Sequence, residues 1–258
     1  MSPDLRIGCC GFPVSLARYA GELRVAEVQQ TFYQPPLVRT LEKWRSSVPE
    51  DFEFTLKAWQ LITHESSSPT YRRLREKLSE KQKRETGAFR LNSTVMAAWQ
   101  RTLEAAQILR SRVILFQCPA RLGPTPENRS NIRTFFREIG RSAGMGNRAG
   151  KLTYVWEPRG EWKPEEVREL CQELGLVHGV DPFVQKPTTK GLGYFRLHGR
   201  GGYRYRYTDA DLERLLETAQ VRKTCYVLFN NIAMLEDARR FLKLASAMGR
   251  TSAHDPGE

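Results

Sequence analysis

Residues 113–157 read VILFQCPARLGPTPENRSNIRTFFREIGRSAGMGNRAGKLTYVWE. The stretch opens with an apolar run, Val113 to Cys118, too short for a buried helix and rich in the residue types that favour strands. Thr125-Pro126-Glu127 then supplies a helix start, because proline loses nothing at a first helical position. Ile132, Phe135, Phe136 and Ile139 follow at the spacing of one helical face. A second apolar run, Leu152 to Glu157, closes the stretch. Strand, amphipathic helix and strand in this order make the repeating unit of a parallel sheet.

Working outward, the same rhythm covers the chain. Candidate strands lie at Leu5–Cys10, Glu27–Tyr33, Phe52–Trp59, Val113–Cys118, Leu152–Glu157, Leu176–Asp181, Tyr194–His198 and Cys225–Asn230. Lys163-Pro164 repeats the proline start ahead of Val167, Leu170, Cys171 and Leu174, and Thr208 with Asp211 has the spacing of a capping box. Leu235, Ala238, Phe241, Leu242 and Ala245 form the last apolar stripe. The expected fold is therefore α/β, a (β/α)8 TIM-type barrel over residues 1–248, with 249–258 as a C-terminal tail. Residues 60–112 are too long for an ordinary connection and predict a helical insertion after the third strand, with helices at Thr70–Glu85 and Thr94–Arg110. Pro182 to Gly193 shows no helical period and predicts a plain loop.

Composition narrows the function classes. The chain has 258 residues, with 41 Lys and Arg against 29 Asp and Glu, a formal charge of +12. That balance favours anionic partners and says nothing about the fold. No apolar run reaches the roughly 18–20 residues of a membrane span, and Met1-Ser2-Pro3-Asp4 lacks the basic start of a signal peptide, so a cytoplasmic location is expected. Five cysteines without a C-x-x-C pair indicate neither a disulfide framework nor a zinc ribbon.

In a barrel of this type, polar residues at the C-terminal strand ends build the site. Lys57, Gln117, Glu157 with Arg159, Asp181, Arg196 with His198, and Asn230-Asn231 all fall at or just beyond the ends of candidate strands. Tyr33 ends the second, and His64 follows the third. These residues sit within Gly8-Cys9-Cys10-Gly11, Thr31-Phe32-Tyr33, Phe54-Thr55-Leu56-Lys57-Ala58, Ile62-Thr63-His64, Leu115-Phe116-Gln117-Cys118-Pro119, Trp156-Glu157-Pro158-Arg159, Asp181-Pro182, Arg196-Leu197-His198-Gly199 and Phe229-Asn230-Asn231. In that order the motifs resemble the YecE-like family, domain of unknown function 72. The resemblance implies a TIM-type barrel and brings no settled activity. The chain departs from many members in carrying Gln29-Gln30 before the Thr-Phe-Tyr and Gly160 after the Glu-x-Arg.

The residues themselves admit several chemistries. Glu157 is the expected general base, His198 an acid or proton shuttle, and Lys57 an electrophile, a Schiff-base lysine or a plain anion contact. Four histidines are too few for a His-rich multinuclear site, so no cofactor is expected beyond weak Mg²⁺ binding. Tyr33, His64, Gln117, Arg159, Asp181, Arg196, Asn230 and Asn231 are expected substrate contacts. After the seventh strand, His198-Gly199-Arg200-Gly201-Gly202-Tyr203-Arg204-Tyr205-Arg206-Tyr207 interleaves arginines with aromatic faces, so Arg200, Tyr203, Arg204, Tyr205 and Arg206 are expected phosphate or nucleic-acid contacts. A second basic segment, Tyr71 to Leu78, lies in the insertion. The leading expectation is an anionic, phosphate-containing ligand, nucleic acid or nucleotide, with phosphodiester hydrolysis as the reaction. A non-catalytic barrel that binds single-stranded nucleic acid and a sugar-phosphate isomerase or aldolase using Glu157 and Lys57 are the rivals. No membrane partner is expected, and the oligomeric state is left open.

Overall fold

A computed structural model describes residues 3–143 and 151–251 of the chain. Eight parallel strands, in sequence order, close into a barrel: β1 Asp4–Cys10, β2 Val25–Val28, β3 Glu53–Lys57, β4 Val113–Gln117, β5 Thr153–Glu157, β6 Val177–Val180, β7 Gly193–Leu197 and β8 Thr224–Phe229. The αβ alternation predicted from hydrophobic runs is thus the observed one. β4 pairs with β5 in register from Val113↔Thr153 to Gln117↔Glu157, and β1 with β8 from Asp4↔Thr224 to Cys9↔Phe229. No helix among the described residues is long and apolar enough to cross a membrane. Of the expected tail, residues 252–258 lie outside the described residues, His254 among them.

The chain divides into two compact units, residues 28–179 and the two flanking segments, 1–27 with 180–258. In the unit 28–179 the helices start as their sequences dictate. Thr125 Oγ1 accepts from Asn128 N at 3.1 Å to open Pro126–Ala143, and Glu166 reaches back to Lys163 N at 2.9 Å to open Pro164–Leu174. The core of this unit is aromatic: Phe89, Trp99, Phe116, Phe135, Phe136 and Tyr154 meet at centroid distances of 5.0–6.4 Å. In the flanking-segment unit, Thr208 and Asp211 form the expected capping box for Asp209–Gln220.

Three elements differ from expectation. Gln30–Tyr33 is a helical turn and not the end of a strand, because Thr31 Oγ1 lies 2.9 Å from Val28 O and 2.7 Å from Lys57 O, a side-chain tie that bends the chain off β2. The helix expected at Thr70–Glu85 is a 3₁₀ turn, Pro69–Arg73, and a separate helix, Glu80–Glu85, capped by Ser79. Between them Gln34 Oε1 accepts from the amides of Arg75 and Glu76, both at 3.2 Å, which holds that stretch extended. Leu242 does not join the buried stripe of the final helix, Met234–Thr251; it is exposed, whereas Ala238 and Phe241 are buried. β6 and β7 are joined by the loop that Pro182 to Gly193 predicts, with no helix between them. All five cysteines are buried, and burial pushes the thiols of Cys9, Cys171 and Cys225 up to about 12, so they pack as small apolar groups.

Candidate functional site

In the unit 28–179, β3, β4 and β5 end on Lys57, Gln117 and Glu157. Lys57 is buried, and its Nζ stands 3.7 Å from the Phe32 ring centroid, a cation held on an aromatic face. The Thr31 tie to the Lys57 carbonyl sets that ring under the ammonium. The His64 ring packs edge-on to Phe32 at 5.0 Å, and its Nδ1 lies 2.7 Å from Thr63 Oγ1. Glu157, also buried, accepts from Arg159 Nε and Nη2 on one oxygen, each at 2.7 Å. Gln117, half-buried, pairs across the ladder with Glu157.

Arg90, Arg121 and Glu65, which the sequence did not single out, lie in this unit together with Arg73 of the basic segment. Arg121 holds Glu65 at 3.3 Å, and Arg90 holds the same carboxylate at 2.8 Å. Arg73 lies with its guanidinium carbon 3.6 Å from the Tyr33 centroid. No motif spacing marks Arg121; the fold alone carries it near His64. Burial pushes the His64 pKa down to about 3, and the positive charges of Lys57, Arg121 and Arg159 push in the same direction. His178, second residue of β6, is likewise pushed down to about 4 by burial, with the Glu157 carboxylate opposing.

Both imidazoles are therefore neutral in the folded protein and titrate near 6.5 once unfolded. The unfolded chain binds more protons below that value, so the stabilisation is complete above about pH 6.5 and drains away as pH falls toward the folded values. We expect urea unfolding to show a loss of about 2 kcal/mol or more between pH 7 and pH 5. The His64→Gln/His178→Gln double variant flattens that slope; an unchanged slope contradicts the neutral assignment.

In the unit formed by the flanking segments, the polar residues are tied to one another. Arg196 on β7 is buried against Glu27 on β2, with Nη2 to Oε1 at 2.8 Å and Nε to Oε2 at 3.0 Å. Tyr194 donates to the same carboxylate at 2.7 Å. Glu27 lay inside a candidate strand with nothing in its spacing to mark it. Arg196 Nη1 lies 3.4 Å from His198 Nε2, and Asn230 Nδ2 is placed 2.9 Å from His198 Nδ1. Asp181 accepts from the backbone of His198 at 2.9 Å and of Phe183 at 3.0 Å, holding the loop after β6.

The Arg-Tyr loop is knitted into this unit. Arg200 and Tyr205 both donate to Asp211, at 2.7 and 2.6 Å, and Arg206 pairs with Glu236 at 2.9 Å. Burial raises the Asp211 carboxyl, but the bonds from Tyr205, Thr208 and Arg200 outweigh it and hold the group down to about 2. Asn231 is buried and donates to Tyr205 O and Asp237, both structural contacts. Gly199, at φ +85°, donates to the buried Tyr207 hydroxyl, and a β-carbon there would lie 2.2 Å from Gly202 O. Tyr203 and Arg204 remain exposed. Among the described residues no three His, Cys, Asp or Glu side chains group closely enough to hold a metal ion.

The sequence matches the model of the family described as "Protein of unknown function DUF72" over residues 12–257. The chain belongs to the DUF72 family. Among curated relatives, the UPF0759 protein YunF of Bacillus subtilis (strain 168) is 25% identical over 241 residues, covering 84% of this chain and 80% of YunF. A DUF72 crystal structure from Enterococcus faecalis V583 superposes with a TM-score of 0.69 at 22% identity, covering 95% of this chain and 98% of that one. Beyond DUF72, a xylose isomerase domain containing protein from Salmonella typhimurium LT2 shares the fold, with a TM-score of 0.55 at 10% identity over 96% of this chain and 98% of that one. At such identities the likeness is one of architecture, and function rests on the DUF72 chain's own residues.

Proposed function

We propose that the strand ends of β3, β4 and β5 bind a small anionic molecule, a phosphate or carboxylate ester or acid, with Lys57 and Arg159 as its charge contacts. The observation that carries this reading is the field at His64. Lys57, Arg121 and Arg159 gather around that imidazole and all push it toward the neutral form, Arg121 from beside Glu65 and Arg159 from beside Glu157, an arrangement suited to an anion that draws the arginines to itself. Lys57 is positioned for the task by Phe32, whose ring face lies under the ammonium. Arg159 is half-exposed on its side chain, 38%, and can pivot from Glu157 toward a ligand oxygen. Glu157 is then the base of the site, a buried carboxylate beside Arg159, suited to removing a proton from a carbon or hydroxyl of the bound molecule. Proton transfer on a phosphorylated or acidic sugar-like compound is the reaction class we favour over phosphodiester cleavage, because two of the three arginines after β7 that would grip a long phosphate chain, Arg200 and Arg206, are engaged by Asp211 and Glu236.

Calorimetric titration with inorganic phosphate tests the binding step. We expect saturable binding that Lys57→Met weakens by about tenfold or more, equivalent to about 1.4 kcal/mol. Glu157→Gln should leave phosphate affinity the same or higher, since it removes a like charge. Heat indistinguishable from dilution for the wild type, or equal affinity in Lys57→Met, refutes the assignment.

A further inference from the structure

A groove of about 860 Å³ opens within the unit 28–179, between the Gln30–Thr40 segment and the stretch around the 3₁₀ turn. Tyr33, Trp44, Arg72, Arg73, Arg75 and Arg101 line it. Its size falls at the upper end of ligand sites, roughly 300–1,000 Å³. Glu76 is the one acid on its wall, and Arg101 faces Glu104 at 3.7 Å on the exposed surface. Among the described residues, neither Arg72 nor Arg75 has an ion-pair partner. The wall is braced, since Gln34 takes both the Arg75 and Glu76 amides. Arg73 is exposed while its guanidinium carbon lies over the Tyr33 ring, 3.6 Å from the centroid, so the side of the cation away from the ring is open to a base.

We propose that this groove binds single-stranded nucleic acid, one base stacking on the Arg73 plane and successive phosphates meeting Arg72, Arg75 and Arg101. The physical argument is the combination of features. Arg72 and Arg75 without ion-pair partners, beside Arg73 and Arg101, favour a polyanion, and a guanidinium seated over an aromatic ring offers a face on which bases can stack. An acidic peptide would satisfy the charges and leave the plane unused. A duplex keeps its bases within the stack and cannot present one to Arg73. The groove adjoins the anion site at Lys57, since the Tyr33 ring under Arg73 meets Phe32 at 5.0 Å, but the proposal does not rest on that site.

The test is fluorescence anisotropy of the full chain with a labelled, roughly 12-nucleotide oligodeoxythymidylate across a salt series. Three phosphate contacts predict that log affinity falls with log salt at a slope of about −2, and the Arg72→Ala/Arg75→Ala variant should flatten it by about 1.4. Arg73→Lys keeps the charge and loses the plane, so it should weaken binding roughly 5- to 100-fold at an unchanged slope. Lys57→Met should leave oligonucleotide binding intact while weakening phosphate binding, which separates this proposal from the previous one. No binding at about 50 mM salt, equal binding of a duplex, full competition by polyglutamate, or wild-type behaviour of the arginine variants would each overturn it.

Discussion

Replacing Glu27 by Gln is expected to lower the unfolding free energy by about 3–5 kcal/mol, among the largest single-residue effects in the chain. Glu27 is fully buried and Arg196 is 1% exposed, so neither charge has water to fall back on. The carboxylate carries the Arg196 Nε and Nη2 bonds and the Tyr194 hydroxyl at once. Taking away its charge leaves a guanidinium desolvated without its counter-ion. The pair itself is not a large net stabiliser, because desolvation of both groups offsets most of their attraction. Hence Glu27→Met with Arg196→Met together should recover most of the loss. Urea denaturation of the three variants decides the point: a double variant as unstable as the single one would show that the cost is packing and not stranded charge.

Gly8→Ala is expected to cost about 3 kcal/mol or more, from a different cause. A β-carbon at position 8 would stand 2.0 Å from Val25 O and 3.1 Å from the Tyr19 hydroxyl. That hydroxyl accepts from Cys9 N at 2.7 Å and donates to Val25 O at 2.6 Å, bridging β1 and β2 beside their ladder pair Gly8↔Val25. Glycine leaves the room in which the bridge is made, and the obstacle is backbone, which cannot rotate aside. Tyr19→Phe removes the bridge but adds no clash; it should cost about 1–3 kcal/mol for the buried groups it strands. A Gly8→Ala variant within about 1 kcal/mol of wild type by denaturant unfolding would contradict the close approach.

The barrel was legible because its signals are local. Thr125-Pro126, Lys163-Pro164 and Thr208 with Asp211 mark helix starts by chemistry within four residues, and short apolar runs between them have no other use than strands. The Thr31-Phe32-Tyr33 segment misled for an instructive reason: threonine and aromatics favour strands, yet a bond from Thr31 to Lys57 O, 26 residues away, turns it into a helical cap under the lysine. Candidate site residues at the strand ends were readable by position, as Lys57, Gln117 and Glu157 show. Their partners were not. Arg196 reads as a ligand contact until Glu27, 169 residues distant, is seen holding it. The Arg-Tyr loop announces its charge in sequence, whereas Asp211 and Glu236, which absorb Arg200 and Arg206, are identified only by folding. Arg121 escaped notice, and Arg73 was read only as part of a basic segment, because no spacing rule connects the first to His64 or the second to Tyr33.

The central claim is that the strand ends of β3 to β5 present an anion site at Lys57. Crystals soaked in tungstate, a tetrahedral oxyanion with strong anomalous scattering, test it by direct sight. We expect an anomalous peak within hydrogen-bonding reach of Lys57 Nζ and the Arg159 guanidinium, lost in crystals of Lys57→Met. Tungstate seated only on other arginines, with none at Lys57, would contradict it.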